Sequence, residues 1–164
     1  MPKHSGVYLF TVEYKNGYLI YVAGITGRFF RFRFYEHTRK YMSGDYTVLD
    51  IEAMRCGIRK EIWHGWGWTP EKRKDFNNRK QTILDAAHAQ LGGMHIFVAS
   101  VADRRIRERI EAAIMKCLYQ QPAPLCEIPD KGMSLSPRRK NESPLVVKNI
   151  ADACLHGLPQ TFEV

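Results

Sequence analysis

"GVYLFTVEYKNGYLIYVAG", residues 6–24, contains two runs rich in β-branched and aromatic side chains, separated by a short polar turn. Residues 6–14 and 18–24 read as strands, and Asn16 with Gly17 supplies the backbone freedom that a tight connection needs. The stretch predicts an antiparallel hairpin with Tyr8 on its first strand and Tyr21 on its second. The hairpin is the reference against which the other elements are placed.

Directly after it, residues 28–42 read as a helix, because Phe30, Phe34 and Tyr41 fall on one side while Arg31, Glu36 and Arg39 point elsewhere. Residues 43–70 mix helical and strand periods, and "HGWGWTP" is broken by glycine and proline. Thr69, Pro70 and Glu71 read as an N-cap followed by proline at the first helical position, opening a helix that runs to about 91 and ends at Gly92 and Gly93. "MHIFVASV", 94–101, reads as a buried strand. Asp103 then caps a helix whose apolar stripe is Ile106, Ile110, Ala113, Ile114 and Cys117, ending before Pro122. The proline-rich remainder reads as loop. This order of elements predicts a mixed α/β (α+β) chain forming one domain over residues 1–164, with a long insertion at about 43–93.

Composition narrows the class. An apolar fraction of 45% over 164 residues suffices for a core without disulfide or metal staples, and no apolar run is long enough to span a bilayer. The start "MPKHSGVYLF" does not read as a signal peptide, so a cytoplasmic location is expected. Cys56, Cys117, Cys126 and Cys154 contain no Cys-x-x-Cys pair and are expected to be reduced and buried. The net charge of +8 comes largely from four groups: Arg28 to Lys40, Lys72 to Lys80, Arg104 to Arg109, and Arg138 to Lys140. Any one group could be a solvated face, but four together favour a phosphate backbone as partner.

Some side chains carry more specific chemistry. Arg33 and His37 are four residues apart and share a helix face, where a guanidinium and an imidazole can hold a phosphodiester. Glu111 lies at the edge of the apolar stripe of its helix, one turn after Arg107, and reads either as half of a surface ion pair or as a lone metal-binding carboxylate. "GVY" at 6–8, "YVAG" at 21–24, "RFYEH" at 33–37 and "IEAAIMKCLYQQP" at 110–122 together resemble the GIY-YIG nuclease family.

That resemblance implies a small central three-stranded antiparallel sheet flanked by helices, and a metal-dependent endonuclease that hydrolyses DNA, with RNA also compatible. It implies Tyr8 and Tyr21 as the motif tyrosines, with Tyr8 taking a proton from the attacking water once its pKa is lowered by the metal and nearby basic residues. Arg33 becomes the phosphate clamp, His37 the helix histidine and Glu111 the ligand of Mg2+ or Mn2+. Family members often place an asparagine soon after the glutamate helix; here Asn141 or Asn149 is the substitute, with Asn141 favoured. From the basic groups, Arg28, Arg31, Lys72, Arg73, Arg138 and Arg139 are the expected contacts to the nucleic-acid backbone, with Lys72 and Arg73 expected to be exposed. "YVAG" is one residue longer than the family's Tyr-Ile-Gly. The tryptophans at 63, 66 and 68 either read DNA or pack on the core. The alternatives are a non-catalytic nucleic-acid-binding module on the same fold, or an α/β protein whose basic groups serve a protein or RNA partner.

Overall fold

A computed structural model describes residues 4–164. The hairpin forms as the turn chemistry requires: β1 (Gly6–Tyr14) pairs antiparallel with β2 (Gly17–Thr26). On its other side β1 pairs antiparallel with a strand at His95–Ser100. A fourth strand, Cys154–His156, adds in parallel to Gly17–Leu19 of β2. The mixed α/β class is therefore observed, while the expected three-stranded antiparallel sheet is enlarged by one parallel strand drawn from the segment read as loop.

β2 carries an irregularity that the residue pattern had left open. Phe10 faces Val22 and Thr11 faces Ile20, so Tyr21 is the extra residue of a β-bulge. A bulge puts two consecutive side chains on one face, and both Tyr21 and Val22 pack in the same core. This absorbs the additional residue of "YVAG" and leaves Gly24 opposite Tyr8. A Cβ at Gly24 would overlap the ring and hydroxyl of Tyr8. Gly24→Ala is accordingly expected to destabilise the protein by about 1–3 kcal/mol through overpacking and to displace the Tyr8 ring, as read by denaturant unfolding and near-ultraviolet circular dichroism.

The sheet separates two cores. Tyr8, Phe10, Val12, Leu19 and Tyr21 face Phe30 and Phe34 of α1 (Phe30–Met42) and Ile51 and Met54 of α2 (Ile51–Arg55). Val7, Leu9, Ile20 and Ala23 face Ile110, Ile114, Met115 and Leu118 of the helix at Arg104–Tyr119, whose start Asp103 caps by accepting from the Ile106 N–H at 2.7 Å. The insertion builds a third core on the far side of α1. Here a two-stranded ribbon, β3 (Val48–Leu49) with β4 (Glu61–Trp63), brings Val48 and Trp63 against Tyr41, Phe76, Ile83 and Ala87.

The single helix expected from 70 to 91 is two, α3 (Pro70–Asn78) and α4 (Lys80–Gly92), broken at Arg79. Asn77 and Asn78 are weak helix formers, and the Arg79 guanidinium donates to the Ile62 carbonyl at 2.8 Å, tying the break to β4. Thr69 caps α3 as read from the sequence, its hydroxyl accepting from the Lys72 N–H. With β5 for His95–Ser100, α5 for Arg104–Tyr119 and β7 for Cys154–His156, the sheet order is β5-β1-β2-β7. The remaining strands, β6 (Val146–Lys148) and β8 (Thr161–Glu163), form a separate antiparallel pair.

Two expectations about charge and thiols are corrected. Arg107 and Arg109 are each only 6% exposed. Arg107 donates to the carbonyls of Val101 and Ala102, at 2.9 and 2.7 Å, and Arg109 to that of Ser143 at 2.7 Å and that of Val164. Arg105 is held by Glu142 at 2.6 Å and by the carbonyls of Ser136 and Pro137. Arg105 and Arg109 thus fasten the C-terminal segment to α5 while Arg107 ties the helix to the end of the preceding strand, since buried guanidinium groups persist only where acceptors surround them. All four thiols are free, but Cys56 and Cys154 are exposed rather than buried. Among the described residues, no helix is long and apolar enough to cross a membrane.

Candidate active site

β7 covers only the first three residues of β2, so the outer edge of β2 beyond Leu19 has no strand partner. A cleft of about 730 Å³ runs along that open edge, floored by Val22, Ala23, Gly24 and Ile25. The helices on opposite faces of the sheet both reach it: α1 lends Arg33 and His37, and α5 lends Glu111 from the other side. Tyr8 enters from β1 by lying across the bare backbone of Gly24. Four residues singled out in the sequence therefore line one cavity.

Three of them are hydrogen-bonded. The Tyr8 hydroxyl lies 2.7 Å from His37 Nε2, and Arg33 Nε donates to the Tyr8 oxygen at 3.3 Å. Burial and the neighbouring Arg33 and Lys40 charges push the His37 pKa down to about 3, so the ring is neutral. With Arg33 already donating to the phenol oxygen, the Tyr8 proton points to Nε2, leaving the buried Nδ1 without a partner. Burial raises the Tyr8 pKa to about 12 against the opposing pull of Arg33. The lowered tyrosine pKa expected for a base is thus not found in the protein alone: Tyr8 is a neutral donor to a neutral imidazole.

Glu111 is half-buried and makes no hydrogen bond or ion pair among the described residues. Its expected neighbour Arg107 has turned inward to backbone carbonyls. Burial raises the Glu111 pKa to about 7, opposed by Arg33 and reinforced by Glu108. Among the described residues, no group of three or more His, Cys, Asp or Glu side chains is placed to hold a metal. Glu111 is therefore a lone carboxylate whose surroundings leave it in want of a proton or a cation.

Other expected residues lie elsewhere. Tyr21 is 1% exposed and does not line the cleft; its hydroxyl is buried without a hydrogen-bond partner, and burial raises its pKa. The bulge turns its side chain toward α1 and α2, while its freed carbonyl accepts the Asp130 N–H at 3.2 Å. Two residues before Gly24, where the motif has its tyrosine, stands Val22. Asn141 is exposed and outside the cleft, in the turn fastened by Arg105 and Glu142.

Among the expected backbone contacts, Arg28 is ion-paired with Glu36 at 2.8 Å, and Arg138 with Glu163 at 3.2 Å. Lys72 is half-buried, its ammonium donating to the carbonyls of Gly65 and Trp66, which corrects the expectation that it is a free surface cation. Arg31 is exposed over the rings of Phe29 and Phe32, Arg73 is exposed over Trp68, and Arg139 is exposed.

The sequence reading missed Tyr46, whose ring packs on His37 with centroids 5.4 Å apart. Its position follows from the end of α1, where the N–H groups of Asp45 and Tyr46 fold back onto the Lys40 carbonyl. It also missed the opposite wall, where Arg59 donates to the Ile128 carbonyl, Asp130 and Glu61 at 2.6, 3.0 and 3.0 Å. These contacts join residues far apart in the chain, and no local spacing announces them. Compared with protein-family models, with curated proteins and with solved structures, the chain matches none.

Proposed function

We propose that this chain is a phosphodiesterase that cleaves DNA with the help of a divalent cation at Glu111. The observation that carries the reading is the convergence of Tyr8, Arg33, His37 and Glu111, drawn from β1, α1 and α5, on one cleft. The donor set fits a hard cation. Mg2+ is commonly bound through one or two carboxylates with substrate phosphate oxygens and waters completing the shell, and Glu111 is a carboxylate that accepts no hydrogen bond from the described residues. When bound, such an ion offsets charge on the scissile phosphate and on the leaving oxygen.

Arg33 holds the phosphate in this reading. Its Nε is occupied by Tyr8, which fixes the guanidinium plane, and with only a long 3.6 Å ion pair from one terminal nitrogen to Glu36 the guanidinium keeps donors for a phosphate in the cleft that it lines. A phosphate anion there offsets the Arg33 charge that depresses His37, making the imidazole a better proton acceptor. Tyr8 then passes its proton to His37 Nε2 as it takes one from the attacking water. The pair acts as a relay, so neither group needs to be ionised beforehand.

Incubating the purified protein with supercoiled plasmid tests the reading. Nicked or linear products are expected with Mg2+ or Mn2+ and none in chelator. Absence of cleavage across plasmid, linear and single-stranded DNA in both metals would remove the enzymatic reading. The second reading, a binding module without activity, is favoured by the positions of Tyr21 and Asn141 outside the cleft. It predicts salt-sensitive DNA binding with no product.

A further inference from the structure

A series of rings leads out of the cleft. The centroids of Tyr8 and His37, of His37 and Tyr46, and of Tyr46 and Trp66 are each 5.4 Å apart. The inner rings are buried or half-buried, whereas Trp66 is 62% exposed. Its backbone has φ of 61°, a left-handed conformation disfavoured for a bulky side chain.

The loop that carries it is fastened on several sides. The Trp66 N–H donates to the Asp45 carbonyl at 3.2 Å, and the Gly65 N–H to Thr47 Oγ1 at 3.2 Å. The Lys72 ammonium binds the carbonyls of both Gly65 and Trp66. A Cβ at Gly65 would overlap the backbone of Tyr46 and Thr47, so the close approach requires glycine. The two neighbouring tryptophans are used differently. Trp63 and Trp68 pack in the third core and donate their indole N–H groups to the Gly44 carbonyl and to Asp45, at 2.8 and 2.7 Å. Trp66 alone of the three is held outward, with one face against Tyr46.

We propose that Trp66 is a stacking platform for an unpaired nucleobase, and that the cleft selects nucleic acid with a single-stranded or unpaired nucleotide beside the phosphate held by Arg33. This rests on the nucleic-acid reading above and adds the substrate class. Inside a paired duplex both faces of each base are covered by its neighbours, so away from the ends only an unpaired base can lie on Trp66. Any base serves, because each has a flat π-face, and aromatic platforms beside cationic groups are the common way to hold single strands. A cation is in place: Lys40 is exposed over the Tyr46 ring at 5.2 Å.

The test is binding in chelator, where cleavage does not intervene, of labelled oligothymidylate and of a long, fully paired duplex whose two end faces are a negligible share of its binding sites. Trp66→Ala is expected to weaken oligothymidylate binding roughly tenfold, the loss typical of one stacked base, and to leave duplex binding within about twofold. Trp66→Phe, which keeps a flat ring, is expected to retain most of the affinity. Trp66→Gly, which suits the left-handed backbone, is expected to bind like Trp66→Ala without lowering the thermal midpoint, separating loss of the ring from loss of the loop. Equal losses on both probes, or no loss on the single strand, would overturn the stacking role and leave the nucleic-acid reading standing. If the wild type binds neither probe at low salt, both fall.

Discussion

Arg33→Ala is expected to slow plasmid cleavage by about a hundredfold or more, the magnitude of losing a contact made to charge in the transition state. The thermal midpoint should hardly move. Arg33 is partly exposed, its ion pair with Glu36 is a long 3.6 Å, and the Tyr8 hydroxyl keeps its 2.7 Å bond to His37 when the guanidinium is removed. DNA affinity should fall far less than the rate, because the other exposed cations remain. Arg31→Ala is the matched control, since Arg31 lies on the same helix but stands over Phe29 and Phe32, away from the cleft. Comparable losses of rate in the two variants, measured under single-turnover conditions, would show that Arg33 acts only as one of several backbone anchors.

Glu111→Gln is expected to abolish metal-dependent cleavage and, without metal, to make the protein more stable at pH 8. The sign follows from the raised pKa. Burial holds the folded-state value at about 7, against 4.5 for an ordinary glutamate. Below pH 4.5 the group is protonated in both states and carries no penalty. As pH rises toward 7 the unfolded chain ionises first, so folding stability declines across that window and stays lower above it. Glutamine remains neutral throughout. The midpoint difference between variant and wild type should therefore be small at pH 4.5 and favour the variant by a few degrees at pH 8 in chelator. Added Mg2+ should raise the wild-type midpoint at pH 8 and leave that of Glu111→Gln unchanged, since only a group that binds the ion gains from it. A variant with unchanged cleavage, or a wild-type midpoint indifferent to Mg2+, would remove Glu111 from the metal role.

Several elements were legible because their causes are local. The hairpin follows from Asn16 and Gly17 between two β-rich runs, and α1 from the spacing of Phe30, Phe34 and Tyr41, all three of them buried. Thr69 and Asp103 cap the helices that they precede because a short side-chain acceptor needs only the next turn of backbone. The spacing of Arg33 and His37 likewise places both toward Tyr8 within one helix face. The meeting of these residues with Glu111 was expected only through a resemblance of motifs, since nothing local to α5 brings it to the edge of β2.

What the tertiary structure decided concerns partners distant in the chain. The bulge at Tyr21 depends on the pairing with β1, and it removes one expected tyrosine from the cleft while setting Gly24 under the other. Composition counted Arg107 and Arg109 as cations for phosphate, but carbonyls at 101, 102, 143 and 164 claim them, acceptors that only the folded chain assembles. Three tryptophans of similar local context divide into two that fill the third core and one held in solvent. That division is set by which indole N–H can reach Gly44 or Asp45 and by the Lys72 contacts that fix the loop between them. Periodicity and capping are properties of neighbouring residues and are written in the sequence. Burial, pKa and the destination of a charged side chain are set by groups that meet only once the sheet and helices have packed.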